Sequence, residues 1–158
     1  MVLPLLNRQR PQETWETLQE DLNQLASFAR EEALTRRKIY RIVFQQKPQA
    51  EGKIFVEEEH TDPEQPEKKT YNAVPAGYQK TSLTLENGRT LRAVYIGKRN
   101  VLTDQDPQAF CYVIPDGMMQ PVTIQIVRAH KNYEEIVSFQ LNPFMGSFDR
   151  HDGKLKPE

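Results

Sequence analysis

A chain of 158 residues, 37% hydrophobic and 27% charged, suits one domain and is long enough to bury a core. Its formal net charge of -1 and mean hydropathy of -0.73 give no electrostatic reason to expect nucleic acid or an anionic membrane surface as partner. The only cysteine, Cys111, excludes an intrachain disulfide.

The chain opens on the apolar run Val2-Leu3-Pro4-Leu5-Leu6, followed at once by Asn7-Arg8-Gln9-Arg10. Two explanations fit: a strand or tail packed on the domain, or the remainder of a longer apolar segment lying upstream of Met1. From Thr14 to Lys38 the pattern is helical. Trp15, Leu18, Leu22, Leu25, Ala29 and Ala33 recur at spacings of three and four and form one stripe. Glu13, Glu16, Glu20 and Asp21 come early and Arg36, Arg37 and Lys38 come last, which suits the helix dipole. Pro11 fits a first-turn position, or a kink if the helix continues upstream. A helix with a single apolar face must lie on something flat, and a sheet is the natural partner.

Beyond the helix the chain reads as strands. Tyr40, Ile42 and Phe44 mark the first, and Lys53 to Glu57 the second. Residues 58–77, with Pro63, Pro66 and Pro75 and no periodicity, read as a long surface loop. Thr81 to Glu86 and Arg89 to Ile96 flank Asn87-Gly88, the signature of a hairpin with a type I′ turn. Ala109 to Ile114 is a further strand and places Cys111 as a small core residue. Pro115-Asp116-Gly117 makes a turn. Val122, Ile124 and Ile126 alternate with Thr123 and Gln125. Tyr133, Glu135, Val137, Phe139 and Leu141 share a face in the strand that follows.

The expected fold is α+β: a long N-terminal helix on antiparallel sheet, with about eight short strands in one or two sheets. Residues 1–13 are read as the remnant of an anchor helix or a linker. Residues 14–158 form a single domain: helix 14–38, β-rich region 39–149 and polar tail 150–158.

Chemistry is sparse. His60, His130 and His151 fall in expected loops or the tail without metal-ligand spacing. Nucleophile-elbow, phosphate-loop and zincin motifs are missing. Asp149 and Asp152 lie in a stretch that faintly resembles a calcium loop but lacks the full spacing and the closing Glu. Arg30, Arg36, Arg37, Lys38 and Arg41 are explained by helix-end capping and contacts with Glu31 and Glu32. Nothing here argues for catalysis, a cofactor, a small-molecule substrate or nucleic acid; the expectation is a non-enzymatic protein, with an unrecognised enzyme as the last of three readings.

Three stretches carry a resemblance. Val2-Leu3-Pro4-Leu5-Leu6 resembles the last turns of the apolar helix of type IV pilin-like proteins. Leu25 to Arg37, leading into Ile39 to Phe44, is similar to the helix end of the H-type minor pseudopilins of type II secretion. Ile114-Pro115-Asp116-Gly117 with Pro121 to Ile126 resembles that family's Pro-Asp-Gly hairpin, and Phe144-Met145-Gly146-Ser147-Phe148 its closing strand. The family's prepilin-peptidase site and the Glu of its apolar segment would lie upstream of Met1.

The resemblance implies a pilin-like fold and a structural subunit of a pseudopilus or type IV pilus in a bacterium. Its missing N-terminal helix, methylated at the processed end, would anchor it in the inner membrane. The domain would lie in the periplasm or in an extracellular filament, with other pilin or pseudopilin subunits as partners. Val2, Leu3, Leu5, Leu6, Trp15, Leu18 and Leu22 are the expected subunit-packing residues. The C-terminal half of the stripe would pack on its own sheet. The alternative is a freestanding β-rich protein-binding module with an N-terminal helix.

Overall fold

The computed structural model describes residues 3–75, 77 and 80–155, with the side chains of the first helix from Trp15 onward. Helix α1 spans Leu3–Arg36. Its seven buried side chains in the described part are Trp15, Leu18, Leu22, Leu25, Ala26, Ala29 and Ala33, which adds Ala26 to the expected stripe. The helix runs from Leu3 rather than from Thr14, because the expected start rested on the apolar stripe, and the stripe begins only at Trp15. It stops where Arg37 turns left-handed (φ 55°) and donates its N–H to the Ala33 carbonyl at 3.0 Å, a C-terminal cap.

Ten strands follow among the described residues: β1 Tyr40–Gln45, β2 Lys53–Asp62, β3 Gln65–Ala73, β4 Ser82–Thr84, β5 Arg89–Ile96, β6 Arg99–Asn100, β7 Gln108–Val113, β8 Val122–Ala129, β9 Glu134–Asn142 and β10 Ser147–Asp152. They make two sheets whose strands pair antiparallel. One runs β3-β2-β1-β7, with β4 beside the first half of β2; the other runs β10-β9-β8-β5-β6.

A single core joins helix and sheets. Tyr40, Ile42, Phe44, Ile54, Val56 and Cys111 come from the first sheet, and Val94, Ile124, Ile126, Phe139, Leu141 and Phe148 from the second. The three helix alanines, Ala26, Ala29 and Ala33, let the C-terminal half of α1 approach the core closely. The fold is α+β, as expected.

Four local expectations change. Residues 58–77 contain the end of β2 and all of β3, not a loop. This ribbon exposes most of both faces, so it shows no alternation, and Pro66 is tolerated on an edge strand. Asn87 (φ 60°) and Gly88 (φ 74°) do form the expected tight turn. Their flanking strands part, however: β4 pairs with β2 and β5 with β8, so the turn carries the chain between sheets. Pro115–Gly117 is likewise a corner rather than a hairpin, because β7 and β8 belong to different sheets. Gly117 there has φ 88°, a conformation that suits glycine.

The polar tail also contains structure. β10 runs to Asp152, and the chain then folds back over β9. Ser138 Oγ donates to the Gly153 carbonyl at 2.7 Å and accepts the Leu155 N–H at 3.0 Å, while Gln125 Nε2 donates to the Leu155 carbonyl at 3.3 Å. That cover explains why Ser138 and Gln125 are buried on the outer side of the second sheet.

Candidate assembly surface

The expected packing residues are best located by what holds α1. Trp15, Leu18 and Leu22 are 6%, 3% and 1% exposed in the chain's own core. All three therefore hold α1 on its own domain, in place of the expected contact with other subunits. Leu3, Leu5 and Leu6 continue α1 in backbone, but their side chains, and Val2 entirely, lie outside the described residues.

Polar contacts reinforce the helix seat. Trp15 Nε1 donates to Glu135 Oε1 at 2.9 Å, and Glu135 Oε2 lies 3.1 Å from His130 Nε2. The His130 ring stacks on Tyr133 at 4.4 Å. The bonds from His130, and then from Trp15, outweigh burial and hold the Glu135 carboxyl below its ordinary pKa. Further along the helix, Gln19 Nε2 donates to the Phe148 carbonyl at 3.0 Å, and Asn23 Oδ1 accepts the Phe148 N–H at 2.7 Å. On the other flank Asp21 pairs with Lys80 at 3.3 Å.

The charge runs have structural partners. Arg36 pairs with Glu32, Lys38 with Glu58, Arg41 with Glu57 and Lys69 with Glu59, so each member of Glu57-Glu58-Glu59 faces a cation. The Arg41 guanidinium is also clamped between the Tyr71 and Phe110 rings, 4.0 Å from each centroid. Burial works against the Glu58 charge, yet the bond from Lys38 leaves its pKa below the ordinary value.

Asp149 and Asp152 sit three positions apart on β10 and so leave opposite faces of the strand. Among the described residues no group of three or more His, Cys, Asp or Glu is placed to hold a metal ion. Cys111 is buried with Sγ 3.2 Å from the Gln120 carbonyl, and burial pushes its thiol up to about 12. A polar cleft of roughly 500 Å³ lies between α1 and the β4–β5 turn; Asp21, Lys80, Glu86 and Arg89 line it. No helix of the described residues is long and apolar enough to cross a membrane.

One surface was not anticipated. The described residues expose six large apolar side chains, and five gather at the C-terminal end of α1: Leu34, Ile114, Met118, Phe144 and Met145. Gly117 brings the β7–β8 corner onto Leu34: a Cβ there would meet Leu34 carbons at 3.1 Å. The β9–β10 turn joins them, since Met119 N–H donates to the Pro143 carbonyl at 3.3 Å and Gly146 lies against Arg30 and Met119. In sequence these residues merge with neighbouring strands; their only mark is adjacency to Pro-Asp-Gly and Asn-Pro turn signals.

No protein-family model and no curated protein matches the sequence. Among solved structures the chain is similar to the minor pseudopilin EpsH from the type 2 secretion system of Vibrio cholerae. The TM-score is 0.57 over 87% of this chain and 95% of that one, at 12% sequence identity. At that identity the likeness is one of fold, and it is the fold that the helix end, the Pro-Asp-Gly stretch and the closing strand resemble in sequence. The chain has the α+β fold of a minor pseudopilin, with one long N-terminal helix laid across two antiparallel sheets.

Proposed function

We propose that the chain is a non-enzymatic structural subunit, a minor pseudopilin or minor pilin, of a type II secretion pseudopilus or a type IV pilus. The supporting observation is the fold likeness over nearly the whole of both chains, together with a helix whose backbone runs from Leu3, twelve residues before Trp15, the first buried anchor among the described side chains. In this reading the stripe from Trp15 to Ala33 seats the helix on its own domain. The upstream stretch with Val2, Leu3, Leu5 and Leu6 packs on other pilin-like subunits and continues an inner-membrane anchor, leaving the domain in the periplasm or filament. Packing of apolar helices supplies the assembly energy.

The test replaces Leu3, Leu5 and Leu6 with Ser in the natural gene. Secreted proteins, surface filaments and co-purification with pilin-like subunits are then assayed. Loss of secretion or filaments, with the domain's melting temperature unchanged, is expected. Unchanged secretion, filaments and co-purification would count against the proposal.

A further inference from the structure

The Asn87-Gly88 turn carries an inference that is independent of assembly. We propose that Asn87 is a site of spontaneous covalent modification, losing its side-chain amide to attack by the backbone nitrogen of Gly88 and becoming aspartate or isoaspartate.

Three observations support it. First, sequence and accessibility single out the pair. Of the chain's seven asparagines only Asn87 precedes a glycine, which shields its own nitrogen least because it carries no Cβ. Asn87 and Gly88 are both exposed, and a Cβ at Gly88 would meet nothing nearer than the Ala129 carbonyl at 3.8 Å. Water therefore has access to both reacting groups.

Second, those groups are uncommitted where other asparagines are held. Among the described residues no hydrogen bond holds the Asn87 side chain or the Gly88 N–H. Asn23 Oδ1 accepts the Phe148 N–H at 2.7 Å, and Asn100 Oδ1 accepts those of Val94 and Leu102 at 3.1 Å each. Asn142 Oδ1 accepts the N–H groups of Phe144 and Met145, and Pro143 behind it has no N–H to attack with. Asn72 and Asn132 are exposed, but Ala73 and Tyr133 follow them, and a Cβ crowds the attacking nitrogen.

Third, the turn lacks the clamp of a hairpin, where paired strands behind an Asn-Gly turn hold it shut. β4 pairs with β2 and β5 with β8, so no ladder continues behind this one. What closes it is the bond from the Arg89 N–H to the Glu86 carbonyl at 3.3 Å. A turn closed so lightly opens locally, and opening lets the Gly88 nitrogen reach Asn87 Cγ.

The Gly88 nitrogen gives up its proton and bonds to Cγ. The Cγ–Nδ2 bond breaks, ammonia leaves with a proton, and a five-membered imide closes. Water then opens the ring at either carbonyl, giving aspartate or isoaspartate. The sum is one water consumed and one ammonia released, with no change of oxidation state. Aspartate fits the same turn, since Asp-Gly favours it as Asn-Gly does. Isoaspartate adds a main-chain carbon between the buried residues Leu85 and Arg89. Either product places a new carboxylate beside Glu86 at the polar cleft.

The test ages the full chain in warm buffer at pH 8 beside Asn87→Gly, which keeps the turn because Gly-Gly also suits it. Trypsin cuts after Lys80 and Arg89 and releases Thr81–Arg89, whose one side-chain amide is that of Asn87. In the folded parent this peptide should gain the mass of an amide-to-acid exchange and split into two chromatographic forms. It should do so ahead of the peptides that carry the other asparagines, with ammonia released in step. The variant should lose both the mass gain and the early ammonia. The proposal is overturned if the folded chain keeps this peptide intact while the urea-unfolded chain converts it, if Asn72 or Asn132 converts first, or if ammonia release is the same in the variant.

Discussion

Asn23 and Phe148, 125 positions apart, are joined by a hydrogen bond of 2.7 Å from the Phe148 amide to Asn23 Oδ1. Gln19, one helical turn earlier, donates to the carbonyl of the same residue. The outer edge of β10 is thus covered at Phe148 by helix side chains, which blunts an edge that would otherwise invite pairing. Asn23→Ala leaves a part-buried N–H without its partner and should cost about 1–3 kcal/mol in urea unfolding. Gln19→Ala should cost less, and the double variant should aggregate more readily. No change in either property would remove this role.

Trp15→Phe keeps an aromatic ring in the core but loses the bond to Glu135. It should cost about 1 kcal/mol, at the low end for a charged acceptor because the Glu135 side chain is 37% exposed. The cost should depend on pH. The folded-state pKa of Glu135 is depressed, so its contribution is present above the unfolded carboxylate value and lost as pH falls through the folded one. Unfolding curves of the two proteins should therefore converge in acid. A gap constant down to the acid limit would exclude Glu135 as the acceptor that matters.

Gly117→Ala combines two penalties: a left-handed φ of 88° and a Cβ that meets Leu34 at 3.1 Å. A loss of about 1–2 kcal/mol is expected. Adding Leu34→Ala should recover only the steric share, leaving the backbone share in place. Full recovery in the double-mutant cycle would mean that backbone strain contributes nothing.

Cys111 should resist a disulfide reagent such as Ellman's at pH 8, because burial both blocks access and holds the thiol at about 12. Labelling should proceed no faster than unfolding. A rapid native-state reaction would place the thiol at the surface.

How far the sequence could be read depended on whether burial was one-sided. The stripe from Trp15 to Ala33 was legible because one face packs and the other is polar. The β2–β3 ribbon was not, since nearly all of its distal residues face water and no alternation survives. β8 runs the other way: Val122 to Val127 are buried on both sides, so Thr123 and Gln125 resemble a solvent face but lie under cover. Asn87-Gly88 announced a turn but not that its strands would part, because a turn fixes local geometry and pairing is decided by distant partners. The Phe144–Met145 display was hidden for a related reason: which turns meet at the helix end is a property of topology.

The first element of the chain is seated by the last ones. Trp15 reaches Glu135, and Gln19 and Asn23 reach Phe148, so α1 has no complete berth until β9 and β10 exist. During synthesis the helix can meet β1 and β2 early, but its seat stays incomplete until more than a hundred further residues have been made. Such long-range closure slows folding and favours an assisted or late docking step. A chain cut before β9 would leave the helix without half its seat and exposed to capture by other apolar surfaces.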